Sequence, residues 1–385
     1  MRISGSRLLA DLAELATFGG REDGGVDRLA GSPEDIASRA WLARRIEDAG
    51  LEAWTDDVGN VFGRRYLGEG PWLLIGSHTD TVPAGGRLDG AYGVIAALEV
   101  LRTLHEADHP AAARLEIVDF WDEEGAQPSS TGGLVGSTAL SAGGHAADIV
   151  AFLELHIEQG PRMDKAGLEL AAVDGIVGIE RHMVTMRGEP NHAGTTPMAV
   201  RADAGRAAVK VADAVWDIAC DVDKQMVANV GCIEFHPGAP NVIPGEASLV
   251  VEFRAAAEAS LGEAAARLSA EARRAAEGQR CSVEVTRLSH KPVVRFDEVL
   301  VDTVDRVCGR TGVPAARMPS FAGHDAGAMS ARVPTAMLFV PSTGGVSHSP
   351  AEDTPDQLLV QGAQVLLDAV VEYCGSWSYA LGRRR

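Results

Sequence analysis

Basic residues are in short supply. Against 54 Asp and Glu stand only 35 Lys and Arg, a net charge of −19. Nucleic acids and anionic membrane surfaces are bound through basic footprints, so this balance argues against both as partners. The Arg383–Arg385 run at the end of the sequence is too short to reverse it. No apolar run approaches the ~20 residues that span a bilayer. The first residues, Met-Arg-Ile-Ser-Gly-Ser-Arg, hold neither a continuous apolar stretch nor a small-residue cleavage site, so export is not expected. Cysteine is sparse as well: Cys220, Cys232, Cys281, Cys308 and Cys374 are odd in number and form no Cys-x-x-Cys. That pattern excludes a disulfide framework and predicts reduced thiols in the cytoplasm. Tandem repeats, low-complexity segments and long linkers are also missing.

What is present is enough chain, 385 residues at 46% hydrophobic and 23% charged, for two domains with sizeable cores. Leu73-Leu74-Ile75 reads as a short strand that runs into Gly76-Ser77-His78-Thr79-Asp80, and Asp89-Gly90 follows eleven residues after the histidine. The apolar runs 115–121, 152–155 and 337–340 end in the same way. They lead into Asp122-Glu123-Glu124-Gly125, His156-Ile157-Glu158-Gln159-Gly160 and, a few residues on, Ser347-His348-Ser349-Pro350. Open α/β sheets bind ligands at the carboxyl ends of their strands. Three histidines and several carboxylates delivered there predict a common site, and that mixture of donors suits zinc, manganese, cobalt or nickel. A metal-dependent hydrolase is the reading that follows.

The periodicity divides the chain. Helices are predicted at 5–18 and 33–49, the second with Ser32 as N-cap and Pro33 in its first turn. An apolar helix over 94–104 should start beside the site and present its N-terminal dipole there. Strands and helices alternate to about residue 177, which predicts a βαβ sheet. Beyond Gly178 come a strand at 181–187, a helix at 199–219, strands at 227–235 and 247–254, a helix at 258–277 and a strand at 281–288. That β-α-β-β-α-β order is the ferredoxin-like split unit. Helix 297–311, strand 335–340 and helix 355–379 then restore the α/β character. The expected architecture is an α/β catalytic domain with a mixed sheet, 1–177 and 295–385, interrupted by an α+β domain at 178–294.

Several motifs add a family resemblance. Gly-Ser-His-Thr-Asp-Thr-Val-Pro at 76–83, Gly-Gly-Arg-Leu-Asp-Gly at 85–90 and Asp-Glu-Glu-Gly at 122–125 resemble the M20 family of di-metal amidohydrolases and aminopeptidases. More selective are Leu-His-Ile-Glu-Gln-Gly-Pro at 155–161, Asn-His-Ala-Gly-Thr-Thr-Pro-Met at 191–198, Pro-Gly-Ala-Pro-Asn-Val-Ile-Pro-Gly at 237–245 and Ala-Gly-His-Asp-Ala at 322–326. Together they are similar to the hydantoinase/carbamoylase branch, over nearly the whole chain and in the same order.

The resemblance implies two divalent metals per subunit, one on His78, Asp89 and His156, the other on Asp89, Glu124 and His348, with Asp89 bridging. His156 favours the carbamoylase branch over the peptidases. The resemblance makes Glu123 the general base and acid, a role that wants a carboxylate desolvated towards neutrality. Asp80 would orient His78. His192 would reach the active site of a neighbouring subunit in a homodimer and stabilise the oxyanion, with the inserted domain serving as lid and dimerisation surface. Gln159, Asn241 and Arg254 match substrate-binding positions, and a guanidinium fork suits a carboxylate. Backbone N–H groups around Gly345 are a further expected contact. His324 and Asp325 would support the ligands. The sequence departs from the branch at Phe321, at Val251-Glu252-Phe253-Arg254 and at Tyr92, which bears on substrate identity. The implied reaction is hydrolysis of a linear amide or ureido bond in a small carboxylated substrate. An N-carbamoyl-L-amino acid leads, ahead of allantoate and β-ureidopropionate. An aminoacylase or dipeptidase follows, and an inactive M20-like binding protein is the reading from another class.

Overall fold

Short polar side chains fix where several helices begin. Ser4 Oγ accepts the Arg7 N–H, Ser32 Oγ accepts the Asp35 N–H at 3.1 Å, and Asp297 Oδ1 accepts the Leu300 N–H at 2.9 Å. The computed structural model describes residues 1–66 and 70–382, and the Arg383–Arg385 run lies outside the described residues. In chain order the elements are α1 (Gly5–Leu15), α2 (Pro33–Asp48), β1 (Glu52–Thr55), β2 (Val61–Arg64), β3 (Trp72–His78), α3 (Ala91–Glu106), β4 (Leu115–Phe120), α4 (Val135–Ala142) and β5 (Ile149–Ile157). There follow α5 (Arg162–Ala166), β6 (Leu170–Ile176), β7 (Gly178–Arg187), β8 (Asn191–His192), α6 (Ala204–Val222), β9 (Val227–His236), β10 (Val242–Ile243) and β11 (Glu246–Ala255). The remainder is α7 (Glu258–Glu277), β12 (Ser282–Lys291), β13 (Val294–Arg295), α8 (Glu298–Thr311), β14 (Ala315–Ser320), α9 (Asp325–Met329), β15 (Thr335–Val340) and α10 (Asp356–Gly382).

The chain divides into two compact units, Met1–Gly175 with Arg295–Arg385, and Ile176–Val294. In the first, the strand order is β1-β2-β4-β3-β5-β15-β6-β13, with β14 also on β6. β3 runs parallel to β4 and β5, and β15 runs parallel to β5. β2 pairs antiparallel with β4, and β6 pairs antiparallel with β15, so the sheet is mixed. β3, β4 and β15 are buried at every residue, as expected of central strands covered on both faces. One helix among the described residues is long and apolar enough to cross a membrane, within α10. Its Leu359, Ala363, Leu366, Leu367 and Val370 are buried in this unit.

The second unit is a four-stranded antiparallel sheet, order β12-β7-β11-β9, with β8 and β10 paired beside it. Val184, Met186, Leu249, Val251 and Phe253 form its core with the inner faces of α6 and α7. The order of elements and the sheet order together make a ferredoxin-like unit.

Boundaries differ from the sequence expectation where local hydrogen bonding intervenes. The first helix stops at Leu15 because the Thr17 and Phe18 N–H groups turn back to Glu14 and Leu15. The helix expected from 199 begins at Ala204, where Asp203 caps it, and 198–200 is a separate 3₁₀ turn. Tyr92, expected to bear on the substrate, is fully buried instead, and its hydroxyl donates to Leu359 O at 2.7 Å, tying α3 to α10.

Candidate metal centre

The ends of β3 and β5 and the loops after β4 and β15 bring His78, Glu123, Glu124, His156 and His348 together with Asp89, which precedes α3. Donor atoms of His78, Asp89 and His156 all lie within 4.8 Å of one another, and so do those of Asp89, Glu124 and His348. Asp89 belongs to both triads. Its Oδ1 lies 3.2 Å from His156 Nε2 and its Oδ2 lies 3.0 Å from His348 Nε2, so its two oxygens face different histidines. Glu124 Oε1 is 3.4 Å from the same His348 nitrogen.

The tautomers suit metal ligation. His78 Nδ1–H donates to Asp80 O at 3.0 Å and His156 Nδ1–H donates to Ile157 O at 2.8 Å. Each bond leaves the Nε2 lone pair for the site, as ligating histidines require. The Gly90 N–H already points at His156 Nε2, 3.1 Å away. Gly90 also has φ +64°, and a Cβ there would lie 2.3 Å from His78 Nε2, so only glycine permits this approach.

Electrostatics point the same way. Burial opposes protonation of His78, but Glu123, Asp80 and Glu124 outweigh it and hold the imidazole well above its ordinary value. Hydrogen bonds to the Asp89 and Glu124 carboxylates push His348 up to about 10. Burial drives Glu123 well above the ordinary carboxylate value, helped by Asp325 and Glu124, and it raises Glu124 too. Against burial, histidine hydrogen bonds hold Asp89 well below the ordinary carboxylate value. The imidazoles are thus drawn towards protonation by a group of carboxylates, and a divalent cation would supply that positive charge instead. The donor set therefore fits a metal.

Asp80 does more than orient His78, whose Nδ1 is 3.5 Å from its Oδ1. Its two oxygens also accept the N–H groups of Glu123 and Glu124, each at 3.2 Å. One buried carboxylate thus sets a histidine and both acidic side chains. Glu154 on β5 lies near His156 and His324 but is spent on tying β3 and α9 to its strand, accepting the Ser77 hydroxyl at 2.6 Å and the Ala326 N–H at 2.8 Å. The His324 ring packs on His156 at 4.6 Å, and its Nε2 shares a 2.8 Å hydrogen bond with Ser320 Oγ.

Gln159 belongs to the cluster. Its Nε2 donates to Asp89 Oδ2 at 2.9 Å, and its buried Oε1 has no partner among the described residues. The expectation of free backbone N–H groups around Gly345 is not met. Thr343 donates to Asp353 O, Gly344 to Asp164 Oδ2, Gly345 to Ser342 O and Val346 to Thr343 O. Gly345 instead packs flat on Pro161, where a Cβ would come within 2.5 Å of the Pro161 nitrogen.

In the second unit, β8 and β10 pair His192 with Val242, and Ala193 N–H donates to Asn241 O at 2.9 Å, so His192 and Asn241 are neighbours. His192 Nδ1 accepts the N–H groups of Gly194 and Thr195 at 3.0 and 3.2 Å. Those bonds leave Nε2–H as the exposed donor of the ring. Arg254, near the end of β11, donates from Nε to Glu252 Oε1 at 2.7 Å.

Sequence reasoning missed two positioning residues. Glu352 Oε1 accepts the Leu88 and Asp89 N–H groups at 2.9 and 3.0 Å, while its Oε2 accepts the Ser347 hydroxyl at 2.7 Å, which locks the Asp89 loop to the His348 loop. Its place four residues after His348 was the available signal, but the stretch reads as a polar turn. Arg28 is fully buried, and it donates from Nε to Thr79 O at 2.7 Å and from its backbone N–H to Thr81 Oγ1 at 2.9 Å, gripping the chain on both sides of Asp80.

Residues 74–372 match the model of Peptidase family M20/M25/M40. The chain is 32% identical to an allantoate amidohydrolase of Escherichia coli strain K12, over 94% of this chain and 96% of that protein. It is 31% identical to an N-carbamoyl-L-amino acid amidohydrolase of Geobacillus stearothermophilus, over 99% and 100%. Among solved structures, an amidase of the hydantoinase/carbamoylase family from Burkholderia phymatum superposes with a TM-score of 0.86 at 35% identity, covering 97% of this chain and 98% of that one.

Proposed function

The chain belongs to peptidase family M20/M25/M40, and on that premise we propose that it hydrolyses a linear ureido C–N bond, that of an N-carbamoyl-L-amino acid. Water and substrate give the free amino acid and carbamate, which breaks down to CO2 and ammonia. The observation that carries a two-metal reading is Asp89, with one oxygen towards His156 and the other towards His348. His78, Asp89 and His156 would hold one divalent ion, and Asp89, Glu124 and His348 the other, drawn from zinc, manganese, cobalt and nickel. Bound there, such ions polarise a carbonyl and acidify water.

Glu123 takes a proton from the attacking water onto its carboxylate and delivers it to the leaving nitrogen, a role suited by its burial-raised affinity for protons. Asp80 keeps Glu123 on station through its backbone N–H. His192 presents its Nε2–H to the developing oxyanion, acting on the partner copy of a homodimer. Gln159 Oε1, buried and without a partner among the described residues, accepts from a ureido N–H. Arg254 and Asn241 hold the substrate carboxylate. Exposed Trp216 on α6 and exposed Ile233 and Phe235 on the edge strand β9 support a homodimer through the second unit. Five unpaired cysteines support a reducing compartment, the cytoplasm.

Allantoate is the second reading, favoured by the full-length similarity to the Escherichia coli relative. The test is ammonia release by manganese-, cobalt- and zinc-loaded protein from N-carbamoyl-L-amino acids, allantoate, β-ureidopropionate and dipeptides. The highest kcat/KM is expected for an N-carbamoyl-L-amino acid. A faster allantoate reaction selects the second reading, faster dipeptide cleavage overturns both, and no turnover with metal bound leaves a binding protein.

A further inference from the structure

Four arginines of the first unit lie over aromatic rings, and Arg64 and Arg162 show two different ways of meeting the charge. Arg64 lies over Trp54 and Trp72, at 4.2 and 4.6 Å from the ring centroids, and its charge is met by Glu116 at 3.0 Å. Arg162 lies over Phe321 with its guanidinium carbon 3.6 Å from the centroid, yet no carboxylate among the described residues is within ion-pair distance of it. The nearest acid in sequence, Glu158, spends its oxygens on the Arg162 and Met163 backbone N–H groups at 2.9 and 2.8 Å. Both Arg162 and Phe321 are half-buried.

Their position gives the stack its interest. Arg162 follows Gln159, which touches Asp89, by three residues of chain, a span of at most ~10 Å. Phe321 sits in the turn that Ser320 and His324 close, and His324 packs on His156. The stack thus joins two loops that each contact the donor cluster, and it leaves a partly desolvated cation within a small molecule's length of it. A guanidinium laid flat on a ring keeps its N–H edge in the plane and available, with its rotamer already restricted. Such a group needs little further ordering to take a carboxylate bidentately.

We propose that Arg162, laid on Phe321, is a specificity-determining residue that binds a second anionic group of the substrate, so that the preferred substrates are linear amides carrying a second carboxylate. The assignment rests on the hydrolase reading above for the reaction, but not for the binding.

Metal-loaded wild type, Arg162→Met, Arg162→Lys and Phe321→Leu are compared on N-carbamoyl-L-glutamate and its uncharged isostere N-carbamoyl-L-glutamine. Wild type should favour the acid at least tenfold in kcat/KM. Arg162→Met should lower that ratio at least tenfold, with Arg162→Lys and Phe321→Leu in between. No preference in wild type, or equal losses on both substrates in Arg162→Met, overturns the proposal. Calorimetric titration with glutarate and with butyrate decides the matter without turnover. Wild type should bind the dicarboxylate at least tenfold tighter, and Arg162→Met should lose that margin. If neither ureido compound is hydrolysed, the reaction assigned above fails while the glutarate margin still supports or sinks the role of Arg162.

Discussion

At the scale of single residues, the candidate site separates groups that touch chemistry from groups that hold them. Glu123→Gln keeps the shape and the Asp80 contact, which is made through the backbone, but it cannot carry a proton. Turnover should fall by about 10²–10⁴-fold with metal content unchanged, read by kinetics alongside metal analysis. Glu352 acts only through the Leu88 and Asp89 N–H groups and Ser347. Glu352→Ala should therefore weaken metal binding by about 10–100-fold in chelator competition, the usual cost of losing a ligand's support. Glu352→Gln retains an acceptor for both N–H groups and should recover most of the loss; an equal loss in both variants would make charge the cause. The positions that gather in the donor cluster were legible because each follows an apolar strand or sits in a spaced motif. Glu352 and Arg28 were not, because they work through backbone groups that a sequence does not display. The Gly345 expectation failed for a related reason: its N–H is used up inside its own turn.

At the scale of elements, the central strands β3, β4, β5 and β15 and the long amphipathic helices were legible, and β1, β2, β6 and β14 were not. β1 and β2 are four residues each, too short for periodicity to register, and they exist because β4 offers an edge for β2 to pair with. Tyr92 shows the same limit, since its tie to α10 crosses 267 residues of sequence. Tyr92→Phe leaves Leu359 O without its donor and should cost about 1–2 kcal/mol in denaturant unfolding with substrate preference unmoved. Altered preference would return Tyr92 to the site. A second contact between elements depends on pH. His145 Nε2 lies 2.7 Å from Glu116 Oε1 on β4, and that hydrogen bond raises the imidazole above its ordinary value against partial burial. A base with a raised folded value binds its proton more tightly in the native state. Its stabilisation is complete below about pH 6.5, the unfolded value, and fades as pH rises through the folded one. The stability gap between wild type and His145→Gln should therefore be widest near pH 6 and shrink by pH 9. A gap that grows with pH would contradict the pairing.

At the scale of the whole molecule, the proposed homodimer predicts complementation. If His192 serves the partner copy, Glu123→Gln and His192→Ala proteins are each inactive. Subunit exchange between them should restore one intact site per mixed dimer, about half the wild-type activity, one site of two surviving. Verified mixed dimers that stay inactive would place His192 outside the partner's chemistry. The sheet of the first unit carries a different consequence. β15 lies between β5 and β6, yet the Ile176–Val294 unit is encoded between β6 and β15. On the ribosome, His78, Asp89 and His156 emerge early, while the strand that must fill the middle of the sheet, and His348 just after it, emerge some 180 residues later. Until then β5 has one side unpaired, a naked edge of the kind that recruits wrong partners. The order of translation therefore decides when the second donor triad can exist at all, and a nascent chain stalled before Thr335 holds only the first.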